Sequence, residues 1–256
     1  MKAVEALFSP TGGTCRAAEA VSAAWPVEKI RMDLMSRTAE PSGVEFDVGD
    51  LCLAAVPSFG GRVPEIAARR LAEMKGNGAR AVAMAVYGNR AYDDTLLELK
   101  DLLEGAGFVC AAAVAAVAQH SIMPQFAAGR PDERDRAELT DFGRRIWDSL
   151  KGEKAGDLVL PGNRPYRTYG GLPLKPRAGK ACTRCGLCAE RCPVGAIPPD
   201  DPDRTDGDAC ITCMRCVAVC PVRARALSAP MVWAAARKMK KSCEGRKENQ
   251  LFLPEG

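Results

Sequence analysis

Residues 3–14 read Ala3-Val4-Glu5-Ala6-Leu7-Phe8-Ser9-Pro10-Thr11-Gly12-Gly13-Thr14. A short apolar run ends in hydroxyls and two glycines, and the helical stretch Cys15–Trp25 follows, so this is a strand, a tight turn and a helix. Gly12 and Gly13 let the backbone approach a ligand closely. Ser9, Thr11 and Thr14 supply hydroxyls, and the helix presents free N–H groups and the positive end of its dipole. The set is a phosphate cradle without a cation. It lacks the Gly-Lys-Ser/Thr ending of a nucleotide-triphosphate loop and is not a dinucleotide Gly-x-Gly-x-x-Gly.

Strand and helix patterns alternate outward from this turn. Val27–Met32 reads as a second strand, and Leu51–Val56 is apolar throughout, as a strand buried on both faces should be. A helix is expected at Val63–Lys75, with Pro64 in its first turn. A strand at Arg80–Tyr87 follows, then a helix at Asp93–Glu104 with Asp93 as N-cap, a strand at Phe108–Ala118 and a helix at Asp132–Leu150. The polar stretch Asp33–Asp50 is expected to be an irregular crossover. Five parallel strands with crossover helices form an α/β doubly wound sheet. Such sheets bind ligands at the carboxyl ends of their strands, where the topology switches. Pro57–Val63 and Tyr87–Asp93 therefore join Ser9–Thr14 on one edge. His120, the only histidine, lies on that edge just after the last strand, either as a satisfied structural residue or as a donor of a proton or hydrogen bond to a substrate.

The second half has different physics. Residues 1–150 carry 17 Lys/Arg against 21 Asp/Glu, whereas residues 151–256 carry 19 against 11. Residues 151–180 are rich in Pro and Gly and read as an extended connector. Eight of the twelve cysteines follow in two runs, Cys182-x2-Cys185-x2-Cys188-x3-Cys192-Pro193 and Cys210-x2-Cys213-x2-Cys216-x3-Cys220-Pro221, offset by 28 residues. This is the bacterial ferredoxin spacing given twice, in which the fourth cysteine of each run ligates the other cluster. One [4Fe–4S] cluster is assigned to Cys182, Cys185, Cys188 and Cys220, and the other to Cys210, Cys213, Cys216 and Cys192. Gly186 and Gly195 are expected to relieve crowding near the iron. Zinc is the alternative, but structural zinc takes four ligands per ion, commonly as C-x2-C pairs around a longer insert. Cys52 and Cys110 read as small hydrophobes within strands, and Cys15 as a packing residue or as a thiol acidified by the helix N-terminus.

The loops resemble those of flavodoxins. Ser9-Pro10-Thr11-Gly12-Gly13-Thr14 is similar to the flavodoxin loop that wraps the FMN phosphate. Pro57-Ser58-Phe59-Gly60-Gly61-Arg62-Val63-Pro64 and Tyr87-Gly88-Asn89-Arg90-Ala91-Tyr92 resemble the loops that flank the isoalloxazine ring. The resemblance implies a five-stranded parallel sheet in the order 2-1-3-4-5, and an aromatic against the flavin, for which Phe59, Tyr87 and Tyr92 are the candidates. Backbone N–H groups of Phe59–Gly61 and Tyr87–Asn89 would bond the flavin's polar edge. The whole chain resembles fused flavodoxin-like/ferredoxin proteins of anaerobic bacteria and archaea, in which a loop like Gly129-Arg130-Pro131-Asp132 also occurs. The expected organisation is a flavodoxin-like domain at 1–150, the connector at 151–180, a small α+β ferredoxin domain at 181–228, and a basic helix and tail at 229–256.

The tail run Arg237-Lys238-Met239-Lys240-Lys241 reads as a solvated face or as a docking patch for an acidic redox partner. Nucleic acid is not expected, because Trp233 is the only aromatic there that could stack on a base. The longest apolar run, Phe108–Ala118, is too short to span a membrane, and the N-terminus lacks a cleavable apolar segment, so the chain is expected in the cytoplasm with reduced thiols. The net charge of +4 changes meaning once cofactors are counted. Each oxidised cubane with four thiolates carries about −2 and the FMN phosphate up to about −2, giving a loaded protein near about −2. The first expectation is an electron-transfer protein linking one-electron clusters to FMN, with a redox protein or small molecule as partner. A reductase acting on a small acceptor beside His120 or Arg90, and a binding module without FMN, are the alternatives. Oligomeric state is not encoded in any motif of the sequence.

Overall fold

The computed structural model describes residues 1–152 and 157–254; four residues of the expected connector and the last two of the tail lie outside these. Strand β1 (Ala3–Leu7) is buried at every position because parallel partners flank it on both sides, β2 (Lys29–Asp33) and β3 (Leu51–Pro57). β4 (Arg80–Tyr87) and β5 (Val109–Val117) continue the parallel pairing. Alternate residues serve opposite faces, as strand geometry requires. Cys52, Ala54 and Val56 of β3 face helices α2 (Glu65–Ala72) and α3 (Thr95–Gly105). Leu51, Leu53 and Ala55 face α1 (Gly13–Ser22) and α4 (Glu133–Ser149). Asp33–Asp50 is irregular apart from one short turn of 3-10 helix, as its composition implied.

One local expectation is corrected. The N-cap of α3 is Asp94, not Asp93, which lies in the left-handed region at φ 44°. Asp94 is buried, and its carboxylate accepts N–H bonds from the connector residues Asn163 (2.9 Å) and Arg167 (2.7 Å) instead of capping the helix. Burial alone would raise its pKa, but these bonds hold the carboxyl below the usual range.

The larger correction concerns the sheet. It has six strands in the order β2-β1-β3-β4-β5-β8, with the order 2-1-3-4-5 intact and a sixth strand, β8 (Gln250–Phe252), added antiparallel to β5. This strand comes from the tail, which returns to the first domain after helix α7 (Ala229–Met239). Three residues are too few for a periodic signal, so the sequence pattern did not announce it.

Helices α1 and α4 pack so closely that Gly143 has no room for a side chain. A Cβ there would lie 1.9 Å from the backbone oxygen of Val21, and the Gly143 carbonyl accepts the Trp25 indole N–H at 3.0 Å. Gly143→Ala should therefore destabilise the protein by about 1–3 kcal/mol, the range for overpacking, measured by denaturant titration.

The cysteine region is a structural repeat with the period of its sequence. Short helices α5 (Leu187–Glu190) and α6 (Arg215–Ala218) stand 28 residues apart, and strands β6 (Arg177–Ala178) and β7 (Arg225–Ala226) pair antiparallel across its base. Positive φ recurs at matching positions: Arg184, Gly186 and Gly195 in the first run, Thr212, Met214 and Arg223 in the second. Backbone alternating through this region turns successive N–H groups inward, a concavity suited to sulfur anions. Met214 and Arg223 occupy the positions equivalent to Gly186 and Gly195, so the requirement common to the two runs is the backbone angle.

Candidate functional site

The three loops at the carboxyl ends of β1, β3 and β4 line a single cavity of about 430 Å³. Thr11, Gly13, Thr14, Pro57, Ser58, Phe59, Gly60, Gly61, Tyr87, Gly88 and His120 all reach it. At its β1 end, α1 begins with Gly12 in the left-handed region (φ 86°) and without a side-chain cap. Ser9 is not part of the lining. Its hydroxyl accepts the Cys15 N–H at 2.9 Å and so braces the turn from behind. Among the described residues no acceptor pairs with the N–H groups of Gly13 and Thr14, which stay available for an anion. The cradle is not without cations, as the sequence suggested. The Arg16 guanidinium would lie 3.1 Å from a Cβ on Gly12, and Arg215 of α6 reaches the Pro10 carbonyl at 3.3 Å.

Two expected ligand residues face elsewhere. Asn89 is buried with its amide spent on the tail: Nδ2 donates to the carbonyls of Cys243 and Gly245 at 2.7 Å each, and Oδ1 accepts from Lys247 N–H at 3.2 Å. Tyr92 gives its hydroxyl to Gln250 at 2.6 Å and packs edge-on against Tyr87, outside the cavity. Phe59 and Tyr87 remain as lining aromatics. A third, Tyr169 of the connector, lies so close over Gly60 that a Cβ there would fall 2.2 Å from its ring. Tyr169 could have been suspected from the sequence only as an aromatic in an otherwise Pro/Gly-rich connector. The other connector tyrosine, Tyr166, turns away and donates its hydroxyl to Asp101 of α3.

The cavity wall is cationic on one side and carries no carboxylate among its described residues. Arg90 and Arg167 line it and share the Asp93 carboxylate behind them, Arg167 at 2.5 Å. His120 packs on Gly88, and its Nδ1 accepts the N–H groups of Ile122 and Met123 at 3.2 Å each. Nε2 therefore carries the proton. Burial and then Arg90 push the His120 pKa down to about 4. The imidazole is neutral near pH 7 and serves as a hydrogen-bond donor, not as a source of protons. Its lowered pKa sets a stability window: the unfolded chain takes up this proton below about pH 6.5, the folded one only near about 4. Stability should therefore fall as pH drops from 6.5 towards 4, and His120→Gln should flatten that decline in denaturant titrations across the range.

Cys15 is not activated. Burial and a hydrogen bond to Glu19 at 3.3 Å push its pKa up to about 11, so the packing role stands.

The other wall of the cavity comes from the second half: Leu172 and Leu174 of the connector, Ile211 and Thr212, and Ala235 and Met239 of α7. Ile211 and Thr212 lie between Cys210 and Cys213. They also line a second, small apolar cavity, shared by Cys192, Cys210, Cys213 and Cys216. Those are the four cysteines assigned above to one cluster, including the one borrowed from the first run. Sγ of Cys192 accepts the Ala196 N–H at 3.3 Å, and Sγ of Cys220 the Ala224 N–H at 3.2 Å, the same bond in each repeat. Buried Arg225 donates to the Pro202 carbonyl and approaches Cys188 Sγ at 3.6 Å. The Nε atoms of Arg215 and Arg225 are buried without a partner. The orphaned Nε of Arg225, whose guanidinium lies against Cys188, fits a group rich in sulfur acceptors. Likewise the bare amides at Gly13 and Thr14, the glycine-permitted approach and the aromatic walls fit a phosphorylated flavin.

Residues 181–225 match the family described as 4Fe-4S dicluster domain. No curated protein matches the chain. Among solved structures, it is similar to a flavodoxin from the domain Archaea (14% identity, TM-score 0.44, covering 59% of this chain and 100% of that one). It is also similar to the Streptococcus pneumonia TIGR4 flavodoxin (18%, TM-score 0.41, 57% and 97%). A third similar structure is an NAD(P)H:quinone oxidoreductase from Methanothermobacter marburgensis (12%, TM-score 0.36, 60% and 97%). The strand order and edge loops define the first half as a flavodoxin-like domain. The chain as a whole joins such a domain to a region that matches the 4Fe-4S dicluster domain. Among the described residues no helix is long and apolar enough to cross a membrane.

Proposed function

We propose that this protein carries electrons within one chain between two [4Fe–4S] clusters and FMN, converting single-electron transfers into paired ones. The observation that carries the reading is the wall made by Ile211 and Thr212, common to the flavin-sized cavity and to the cavity of Cys192, Cys210, Cys213 and Cys216. FMN bound in the larger cavity would supply a centre that takes electrons singly or in pairs, whereas each cubane exchanges one. Residues of this chain do the rest. Thr11–Thr14 hold the phosphate, Phe59, Tyr87 and Tyr169 exclude water from the ring, and Asp94 secures the connector that carries Tyr169. Cys185 belongs to the other cluster and is exposed, whereas its counterpart Cys213 is buried, which makes that end the approach for an external redox partner. Anaerobically prepared protein should contain one FMN and about eight irons per chain. Iron near zero, or flavin absent after denaturation and after reconstitution with excess FMN, would overturn the reading.

Reduction of a small acceptor in the same cavity is a second reading, favoured by the His120 N–H and the Arg90 and Arg167 guanidiniums on one wall. It expects His120→Gln to slow turnover of such an acceptor without changing flavin content.

A further inference from the structure

We infer that Arg215, a residue of the iron–sulfur domain, is the cation of the flavin phosphate site. The inference rests on the flavin reading above and adds a residue from the other domain to it. Arg215 opens α6 between Met214 and the ligand Cys216, and its Nη1 lies 3.3 Å from the carbonyl of Pro10, one residue before Thr11. Its charge is otherwise uncompensated: among the described residues it forms no ion pair, and its Nε is buried without any partner. A half-buried guanidinium with one carbonyl as its only acceptor is costly unless an anion completes it. The loop it touches presents the unpaired N–H groups of Gly13 and Thr14 and the start of a helix, an anion site in its own right. Arg16, the nearer residue in sequence, is exposed on α1 and supplies a screened charge. Arg215 stands in the wall of the cavity shared by Cys192, Cys210, Cys213 and Cys216. The same contact therefore seats the iron–sulfur domain on the phosphate loop, and FMN is gripped by both domains at once.

The test uses the full chain with its clusters reconstituted and its flavin removed, titrated anaerobically with FMN and, separately, with riboflavin, which lacks the phosphate. Arg215→Met should weaken FMN about tenfold, the loss of one charge-assisted contact, while riboflavin binding stays at the wild-type level. Arg215→Lys should recover most of the preference for FMN. Equal losses for FMN and riboflavin would make Arg215 a mere spacer between domains and overturn the inference, as would no change for either. Wild-type protein that binds neither flavin would overturn the flavin reading itself, a result distinct from both.

Discussion

Cys213→Ala is expected to halve the iron content, from about eight atoms per chain to about four, and to isolate the flavin from the electrons of its own chain. Cys213 is buried and flanks Thr212, which forms part of both cavity walls. Loss of this ligand removes the metal group next to the flavin cavity and leaves the more exposed run, Cys182 to Cys188, with Cys220. Cys185→Ala makes the informative contrast. It removes a ligand from the exposed end, so iron should fall by the same amount while a strong small reductant still reduces the flavin quickly through the remaining centre. Iron analysis and flavin absorbance after rapid anaerobic mixing read both effects. Equal flavin behaviour in the two variants would remove the assignment of the second run to the position beside the flavin.

Asp135→Ala is expected to cost about 3–5 kcal/mol, the penalty for leaving a buried charge without its partner. Asp135 is fully buried and Arg130 is 4% exposed, and the two are joined by bonds of 2.8 and 2.5 Å. The same carboxylate accepts Arg246 at 2.8 Å and Asn249 at 3.1 Å, while Arg130 also donates to the Lys247 carbonyl at 2.7 Å. Asn249 in turn accepts the Val117 N–H at 2.8 Å at the edge of the sheet. Gly129-Arg130-Pro131-Asp132 thus works as the anchor of the tail, and the tail holds α7 over the cavity. Denaturant titration should read the loss, and limited proteolysis should cut the variant within 243–249, where the wild type resists. The anchor also has an acid limit. Contacts with Arg246 first, and with the Asp135 N–H, hold Asp132 below the ordinary carboxylate range; Asp135 is held down by Arg130 against the opposing effect of its burial. Folded pKa values below the unfolded ones mean stability that is complete above about pH 4 and is lost as pH falls further. Protease sensitivity of the tail should appear in that range.

The parts of the molecule legible in the sequence are those written as local spacing. Five parallel strands followed from alternating apolar runs and their order from the flavodoxin resemblance, and the 28-residue offset of the two cysteine runs reappears in the backbone angles. Side-chain direction was not legible. Asn89 and Tyr92 sit in the right loop but are turned towards the tail, because Gly245, Lys247 and Gln250 offer them partners more than 150 residues away. Residues contributed across long separations were also hidden: Tyr169 against Gly60, Arg215 against Pro10, and β8 against β5. No period or motif joins such pairs, since only the return of the chain brings them together. The sequence therefore indicated two sites, and the structure brings them to one wall.

The central claim is that electrons cross that wall inside a single chain. The direct measurement is anaerobic rapid mixing of the full protein with a one-electron reductant, following cluster and flavin absorbance at several protein concentrations. First-order reduction of the flavin after the clusters, with a rate independent of protein concentration, is the predicted result. A flavin that stays oxidised beside reduced clusters, or a rate that rises in proportion to protein concentration, would contradict it.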